Sequence, residues 1–118
     1  MNIREICNRL DAQVLAREDL IDIEIDSAFG SDLMSDVLTY AHGKMALLTG
    51  LSNTQIIHTA EMSDIPVVIF VRNRIPLQNI IGLAIEKSIC LLRTKYIMYE
   101  ACWKLYEAGL PPCTRLYK

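Results

Sequence analysis

Short apolar segments with strand character recur about every twenty residues along the chain, and stretches of helical periodicity separate them. The clearest segment, residues 66–71, is a β-branched run that predicts a central strand buried on both faces. Because this alternation is typical of βαβ crossovers, it predicts an α/β fold with a mainly parallel β-sheet and helices on both faces. The other predicted strands are residues 12–16, 20–26, 45–48 and 89–92.

The predicted helices have apolar residues at three- and four-residue spacing, and several begin at residues that cap helices well. Ser31 is expected at the N-cap of the second helix, with Asp32 in the first turn, where the helix dipole favours negative charge. Ser52 and Gln55 have the spacing of a capping box, and Thr94 is a candidate cap for the last helix.

The chain of 118 residues is long enough for one domain with its own core. We expect a single domain at residues 1–110, followed by a C-terminal tail at 111–118. Apolar residues make up 52% of the sequence and charged residues 22%, which predicts an oligomer in which a partner covers some apolar surface. The formal charge of -2 argues against a nucleic acid partner, since that requires a concentrated basic face.

The sequence also disfavours a membrane partner and secretion. The longest apolar run, residues 65–71, is too short to span a bilayer. Residues 1–10 lack the long apolar core of a secretory signal. These features predict a cytoplasmic protein.

Residues 20–26 alternate isoleucines with Asp22, Glu24 and Asp26, so three carboxylates are expected on one face of a strand. Such a row can hold a cation, or it can be the solvated face of an edge strand. No histidine accompanies it, and this favours the second interpretation. The four cysteines contain no C-x-x-C pair, which favours free buried thiols over zinc ligands or disulfides. We therefore predict no metal site and no cofactor.

The candidate ligand site follows from the predicted topology. In an open parallel sheet, ligands bind beyond the carboxyl ends of the strands, where loops lead into helix N-termini. Free backbone N–H groups and helix dipoles attract small anions there, and arginine can bind them with two hydrogen bonds. A phosphate, a nucleotide or a carboxylate is the expected ligand, although similar residues occur at any strand–helix junction. The candidate ligand-binding residues are Gly30, Ser31, Asp32, Thr49, Gly50, Ser52, Asn53, Thr54, Arg72, Arg74, Thr94 and Lys95, together with the flanking Asn73 and Arg93.

Motifs for catalysis are missing from the sequence. It contains neither a P-loop nor a G-x-G-x-x-G motif. Its two histidines, His42 and His58, are expected at a helix end and on a helix surface. No residue is therefore predicted to be catalytic.

The last predicted helix has two apolar stripes side by side. One begins at Met98 and is expected to pack on the sheet. So wide an apolar arc predicts burial on two sides, either beneath residues 110–117 or against another subunit. The second stripe is the candidate interface, and its aromatic residues are Tyr99, Trp103 and Tyr106.

A family resemblance covers most of the chain. It lies in three segments: GSDLMSDVLTYA, LLTGLSNTQIIHTAEMSDI and TKYIMYEACWKLYEAGL. Together they resemble the DRTGG domain family. The resemblance implies a fold similar to the amino-terminal domain of HPr kinase/phosphorylase, and a dimeric, non-catalytic module with a regulatory or ligand-sensing role. It also implies a location near hydrogenase genes, so a hydrogenase-associated system is a candidate protein partner.

The motif that names the family falls at residues 22–28 and departs from the family pattern. Asp22 matches the aspartate, whereas Ile23 stands where the family has arginine. Small residues, Ser27 and Ala28, replace the two glycines, so the backbone can still pass closely there.

The sequence thus predicts a cytoplasmic, homodimeric regulatory module that binds a small anionic metabolite or nucleotide, or a partner protein. Two alternatives stay open. One is a small phosphoryl- or acyl-transfer enzyme, which the lack of an acid–base pair and of a phosphate-binding loop disfavours. The other is a pure assembly protein that uses the aromatic stripe.

Overall fold

The structure, a computed structural model, describes residues 1–113, and helices and strands alternate along them. None of the helices in this range is both long and apolar enough to cross a membrane. In chain order the elements are α1 (Ile3–Arg9), β1 (Gln13–Ala16), a short 3-10 helix (Glu18–Leu20), β2 (Ser27–Gly30), α2 (Met34–Tyr40), β3 (Met45–Thr49), α3 (Thr54–Met62), β4 (Val67–Phe70), α4 (Gln78–Glu86), β5 (Cys90–Arg93) and α5 (Met98–Glu107).

The five strands form one sheet in the order β1-β5-β4-β3-β2. Strands β2 to β5 run parallel to one another, and β1 pairs antiparallel with β5. The middle strand is β4, where Val68 lies between Leu47 of β3 and Leu91 of β5. The predicted α/β class, the mainly parallel sheet and the central position of the run at 66–71 are confirmed.

Side chains alternate across the sheet, so the central strands contribute to two cores. In β4, Val68 and Phe70 pack with residues of α2, α3 and α4. Val67 and Ile69 point to the other face and pack with α1 and α5. Since helices cover both faces, β4 has the continuous apolar sequence of a buried parallel strand. The predicted helices on both faces are confirmed.

The strand predicted at residues 20–26 is wrong, because this segment crosses the beginning of α1 and β2 follows it. The Arg4 N–H donates to the Ile21 carbonyl at 2.7 Å, and the Ile25 N–H donates to the Met1 carbonyl at 2.8 Å. The first of these bonds satisfies a donor in the first turn of α1, which the helix cannot satisfy itself. The alternating isoleucines therefore reflect burial against the core, with Ile25 almost fully buried, and not membership of the sheet.

The C-terminal segment of the described chain covers part of the outer edge of β2. The Ala28 N–H donates to the Pro111 carbonyl at 3.0 Å, and the Cys113 N–H donates to the Ala28 carbonyl at 3.1 Å. These bonds form a short parallel pairing. The predicted tail therefore begins on the sheet, and its remainder, residues 114–118, lies outside the described residues.

Candidate functional site

The carboxyl ends of four strands lie at one edge of the sheet, because β2 to β5 are parallel. The predicted ligand-binding residues all lie in or beside the loops at this edge. The loops after β4 and β5 also contact one another, since the Arg72 N–H donates to the Tyr96 carbonyl at 2.9 Å. The structure thus brings these loops together, but their side chains form two separate groups. One group surrounds the loop after β3, and the other, after β5, faces α1.

Asp32 connects two loops of the edge. Its Oδ1 accepts hydrogen bonds from the Gly50 N–H at 2.7 Å and from the Thr49 hydroxyl at 3.0 Å. It does not lie in the first turn of α2, and the predicted N-cap role of Ser31 is also wrong, because Leu33 occupies the N-cap. The Ser31 Oγ accepts from the Leu33 N–H at 3.0 Å in the loop before the helix. The Asp32 carboxylate therefore occupies donors that suit an anionic ligand.

Arg72 extends from a tight turn after β4. Arg72 and Asn73 have left-handed φ angles of 60° and 58°, and the Arg74 N–H donates to the Val71 carbonyl at 3.2 Å. Positive φ at both central residues is the pattern of a type I′ turn. This conformation costs an arginine roughly 1 kcal/mol, whereas asparagine tolerates it.

The Arg72 side chain packs against the loop after β3. Its Nη2 donates to the Gly50 carbonyl at 3.3 Å. A Cβ at Gly50 would lie 2.9 Å from the same Nη2, so a larger residue there would displace the guanidinium from this position. The turn therefore holds a cation directly beside the loop that leads into α3.

Helix α3 begins at the same edge, with Asn53 as its N-cap. The Asn53 side chain accepts from the Ile56 N–H at 3.2 Å. The capping box predicted at Ser52 and Gln55 is wrong, because the asparagine one position later makes the capping bond. The other first-turn N–H groups of α3 and its dipole leave partial positive charge at this end.

The residues after β5 face α1. Thr94 is fully buried, and its hydroxyl donates to the Leu10 carbonyl at 2.7 Å. Its predicted capping role is wrong, since α5 begins later and has Ile97 at the N-cap. Lys95 Nζ lies 3.5 Å from Asp11 Oδ2. Thr94 therefore holds α1 against the sheet, and the charge of Lys95 is partly paired.

The acidic row is exposed and lies outside this edge. The Arg4 guanidinium donates to Asp22 at 3.0 Å, and the N-terminal ammonium of Met1 donates to Glu24 at 3.1 Å. Surface pairs of this kind contribute little to stability. Within residues 1–113, no three His, Cys, Asp or Glu side chains are grouped so that they could hold a metal ion.

The four cysteines are free thiols; Cys90 and Cys113 are buried, as predicted, whereas Cys7 and Cys102 are only partly buried. Burial raises the pKa of Cys90 to about 12. Burial also raises the pKa of Cys7, with smaller contributions from nearby acids, and the pKa of Cys102. These three thiols are therefore protonated at neutral pH, which makes them poor nucleophiles.

The aromatic stripe of α5 is on the surface. Tyr99 is 85% exposed, Trp103 53% and Tyr106 63%. The other stripe packs on the sheet, where Ala101 and Leu105 are buried. An apolar set as exposed as this one is typical of an interaction surface.

Sequence reasoning missed an apolar cavity of about 220 Å³ between β2, α5 and residues 110–113. A Cβ at Gly30 would lie 2.9 Å from the Cys102 Sγ, so the glycine allows α5 to approach the strand closely. That glycine was the signal in the sequence. The position of residues 110–113 on β2 depends on long-range pairing, which no local pattern predicts.

No protein-family model matches the chain, and no curated protein matches it. A solved structure does share its fold: the CBS and DRTGG domains of the regulatory region of a Clostridium perfringens pyrophosphatase, complexed with the activator diadenosine tetraphosphate. The TM-score is 0.69 at 16% sequence identity. The match covers 93% of this chain and 47% of that one, so the chain spans about half the length of its neighbour. Identity this low shows a common fold alone.

Proposed function

We propose that this chain is a non-catalytic regulatory module of the DRTGG type, which binds a small anionic metabolite or nucleotide at the carboxyl edge of its sheet. The placement of Arg72 carries the proposal: a left-handed turn holds its guanidinium against Gly50, beside the start of α3. The fold supports it, because this fold matches 47% of a pyrophosphatase regulatory region that is complexed with a nucleotide activator.

The chemistry of the edge suits an anion with several oxygens. The first turn of α3 offers backbone N–H groups and the positive end of a dipole. Arg72 and Arg74 add two full positive charges from one turn. A phosphate group between the turn and the helix would be bound from both sides, with Asn53 and Thr54 at the helix start.

Asp32 is expected to weaken the binding of an anion at this edge. Its carboxylate already accepts from the Gly50 N–H and the Thr49 hydroxyl, so an incoming anion meets an occupied pair of donors and a like charge. Asparagine at this position keeps an acceptor oxygen and removes the charge. The Asp32→Asn variant is therefore expected to bind anions more tightly than the natural chain does.

Thermal unfolding with tripolyphosphate and with ATP tests the proposal. A ligand present at 100 times its Kd adds about 2.7 kcal/mol to the free energy of unfolding, which raises Tm by roughly 10 °C. Arg72→Ala is expected to abolish this shift, and Asp32→Asn to move it to lower ligand concentration. The matched control is Lys44→Ala, which removes one positive charge just before β3, at the opposite edge.

Three results would contradict this function. The first is the absence of a saturable shift with either probe. The second is an equal loss in Arg72→Ala and Lys44→Ala, which would mean non-specific charge attraction. The third is turnover of ATP that Arg72→Ala removes, which would favour the phosphoryl-transfer alternative.

We further propose that the module is a cytoplasmic homodimer, joined through the aromatic stripe of α5. The exposure of Tyr99, Trp103 and Tyr106 supports this part of the proposal. The same surface favours a second candidate function, a pure assembly protein that contacts a partner without a small ligand. A dimer in solution together with no response to either probe would select that candidate.

A further inference from the structure

The apolar cavity beside α5 carries an inference that rests on the proposed function. Its volume of about 220 Å³ is below the roughly 300–1,000 Å³ of pockets that enclose a whole drug-sized ligand. It therefore has room for one ring system of a larger molecule. None of its lining residues has a charged side chain, so the group that it accepts is neutral.

The walls favour a flat ring. Rings contribute to them from two directions: Tyr106 from α5, and Pro111 and Pro112 from the C-terminal segment. Strand β2 contributes mainly backbone, since the Phe29 ring packs with Tyr40 on the opposite face of the sheet. Rings of this kind pack well against the face of an aromatic ligand. Cys102 completes the wall on the side of α5 as a small protonated thiol, since burial raises its pKa.

One strip of the cavity wall is polar backbone. The Ala28 N–H and carbonyl point away from β3, toward residues 111 and 113, whereas the Ser31 N–H points toward β3 and donates to the Leu48 carbonyl. Peptide groups alternate along a strand, so those of Gly30 point the same way as those of Ala28, toward the cavity side. A donor and an acceptor side by side match the hydrogen-bonding edge of a nucleobase.

The cavity also adjoins the proposed anion site. Gly30 lines the cavity, and Asp32, two residues later, bonds to the Gly50 N–H at 2.7 Å. Two residues span at most about 7 Å. We propose that this cavity binds the base of a nucleotide, whose phosphates lie at the edge formed by Gly50 and Arg72.

Calorimetric titration with adenosine, which carries a base but no phosphate, tests the cavity separately from the edge. The natural chain is expected to bind adenosine, and Cys102→Phe, which fills the cavity with a ring, is expected to weaken binding at least about tenfold. Glu100→Phe is the matched control, because it adds the same ring to an exposed position of the same helix. Arg72→Ala is expected to bind adenosine as the natural chain does while losing the response to tripolyphosphate.

A second measurement covers the case in which Cys102→Phe does not fold. Adenosine is expected to slow alkylation of Cys102 in the natural chain, detected by peptide mass spectrometry, with the half-buried Cys7 as the internal reference. The proposal is overturned if adenosine does not bind. It is also overturned if Cys102→Phe binds adenosine as well as Glu100→Phe does, or if adenosine does not slow the alkylation of Cys102. Tripolyphosphate binding without adenosine binding overturns the cavity proposal alone. Adenosine binding without any tripolyphosphate response supports the cavity and contradicts the anion site.

Discussion

At the scale of single residues, Arg72 combines backbone strain with a candidate binding role. Its φ of 60° is unfavourable for any residue with a Cβ, yet the guanidinium makes one long hydrogen bond, to the Gly50 carbonyl at 3.3 Å. Backbone hydrogen bonds hold this turn, from the Arg72 N–H to the Tyr96 carbonyl at 2.9 Å and from the Asn73 N–H to the Thr94 carbonyl at 2.8 Å, so its conformation does not depend on the arginine side chain. Stability and ligand binding should therefore change in opposite directions when Arg72 is replaced.

Arg72→Gly is expected to raise the free energy of unfolding by about 0.5–1 kcal/mol, because glycine adopts the left-handed conformation without a Cβ clash. Urea unfolding measures this change. The same variant is expected to lose the response to tripolyphosphate. Asn73→Gly is the control, with a smaller gain, since asparagine already tolerates positive φ. A destabilised Arg72→Gly would mean that the side chain contributes more to folding than its contacts indicate.

Cys90 provides a pH-dependent contribution to stability. Burial raises its pKa from the ordinary 9.0 to about 12, so the folded state keeps the proton over a range in which the unfolded state loses it. The contribution is complete below pH 9 and falls as the pH rises toward 12. One pH unit above 9 it has fallen by about 1.4 kcal/mol. Urea unfolding between pH 8 and pH 10.5 is therefore expected to show a steeper loss for the natural chain than for Cys90→Ala. An equal loss of stability in the natural chain and in Cys90→Ala would contradict this role of Cys90.

At the scale of elements, the strand prediction was correct where a segment is apolar on both faces. It was wrong where an alternating pattern can arise either from a strand or from a loop packed on the core. The run at 66–71 is apolar on both faces, and only a covered central strand accounts for that. The isoleucines at 20–26 alternate equally well, but they pack beside α1, whose N-terminal donors pair with that backbone. The cap errors have two causes. Before α3 two polar residues compete, and Asn53 makes the bond instead of Ser52. Helices α2 and α5 begin later than predicted, with Leu33 and Ile97 at their N-caps, which make no side-chain capping bond.

Helix α3 allows a direct test of one such correction. Asn53→Ala removes the acceptor for the Ile56 N–H and is expected to lower the free energy of unfolding by about 1 kcal/mol. Ser52→Ala, one position earlier, is expected to change it by less than about 0.5 kcal/mol. Urea unfolding of the two variants side by side measures both values. The reverse order of effects would restore the capping box predicted at Ser52.

At the scale of the whole molecule, parallel topology was enough to predict where the loops meet, but not how their side chains divide. Thr94 and Lys95 turn toward α1 because Leu10 and Asp11 lie beside them, a contact between residues more than eighty positions apart. The cavity depends in the same way on residues 110–113 returning to β2. We propose that residues 1–110 form one domain, and these bonds extend its packed surface to Cys113.

The surface of the molecule has large exposed apolar side chains on both helical layers. Trp103 belongs to α5 on one face of the sheet, and Met62, which is 67% exposed, ends α3 on the other. Aromatic residues dominate binding energy at interfaces far more than isolated aliphatic ones do. We therefore expect the two positions to contribute differently to the proposed dimer.

Trp103→Glu is expected to turn the proposed dimer into a monomer, because it removes an aromatic contact of about 2 kcal/mol or more and places a charge in an apolar interface. Native mass spectrometry and sedimentation velocity at several protein concentrations measure the subunit number. Met62→Glu adds the same charge at a comparably exposed apolar position and is expected to stay dimeric. If the natural chain is monomeric at every concentration, or if only Met62→Glu dissociates, the interface on α5 is wrong and the exposed aromatic stripe needs a different partner.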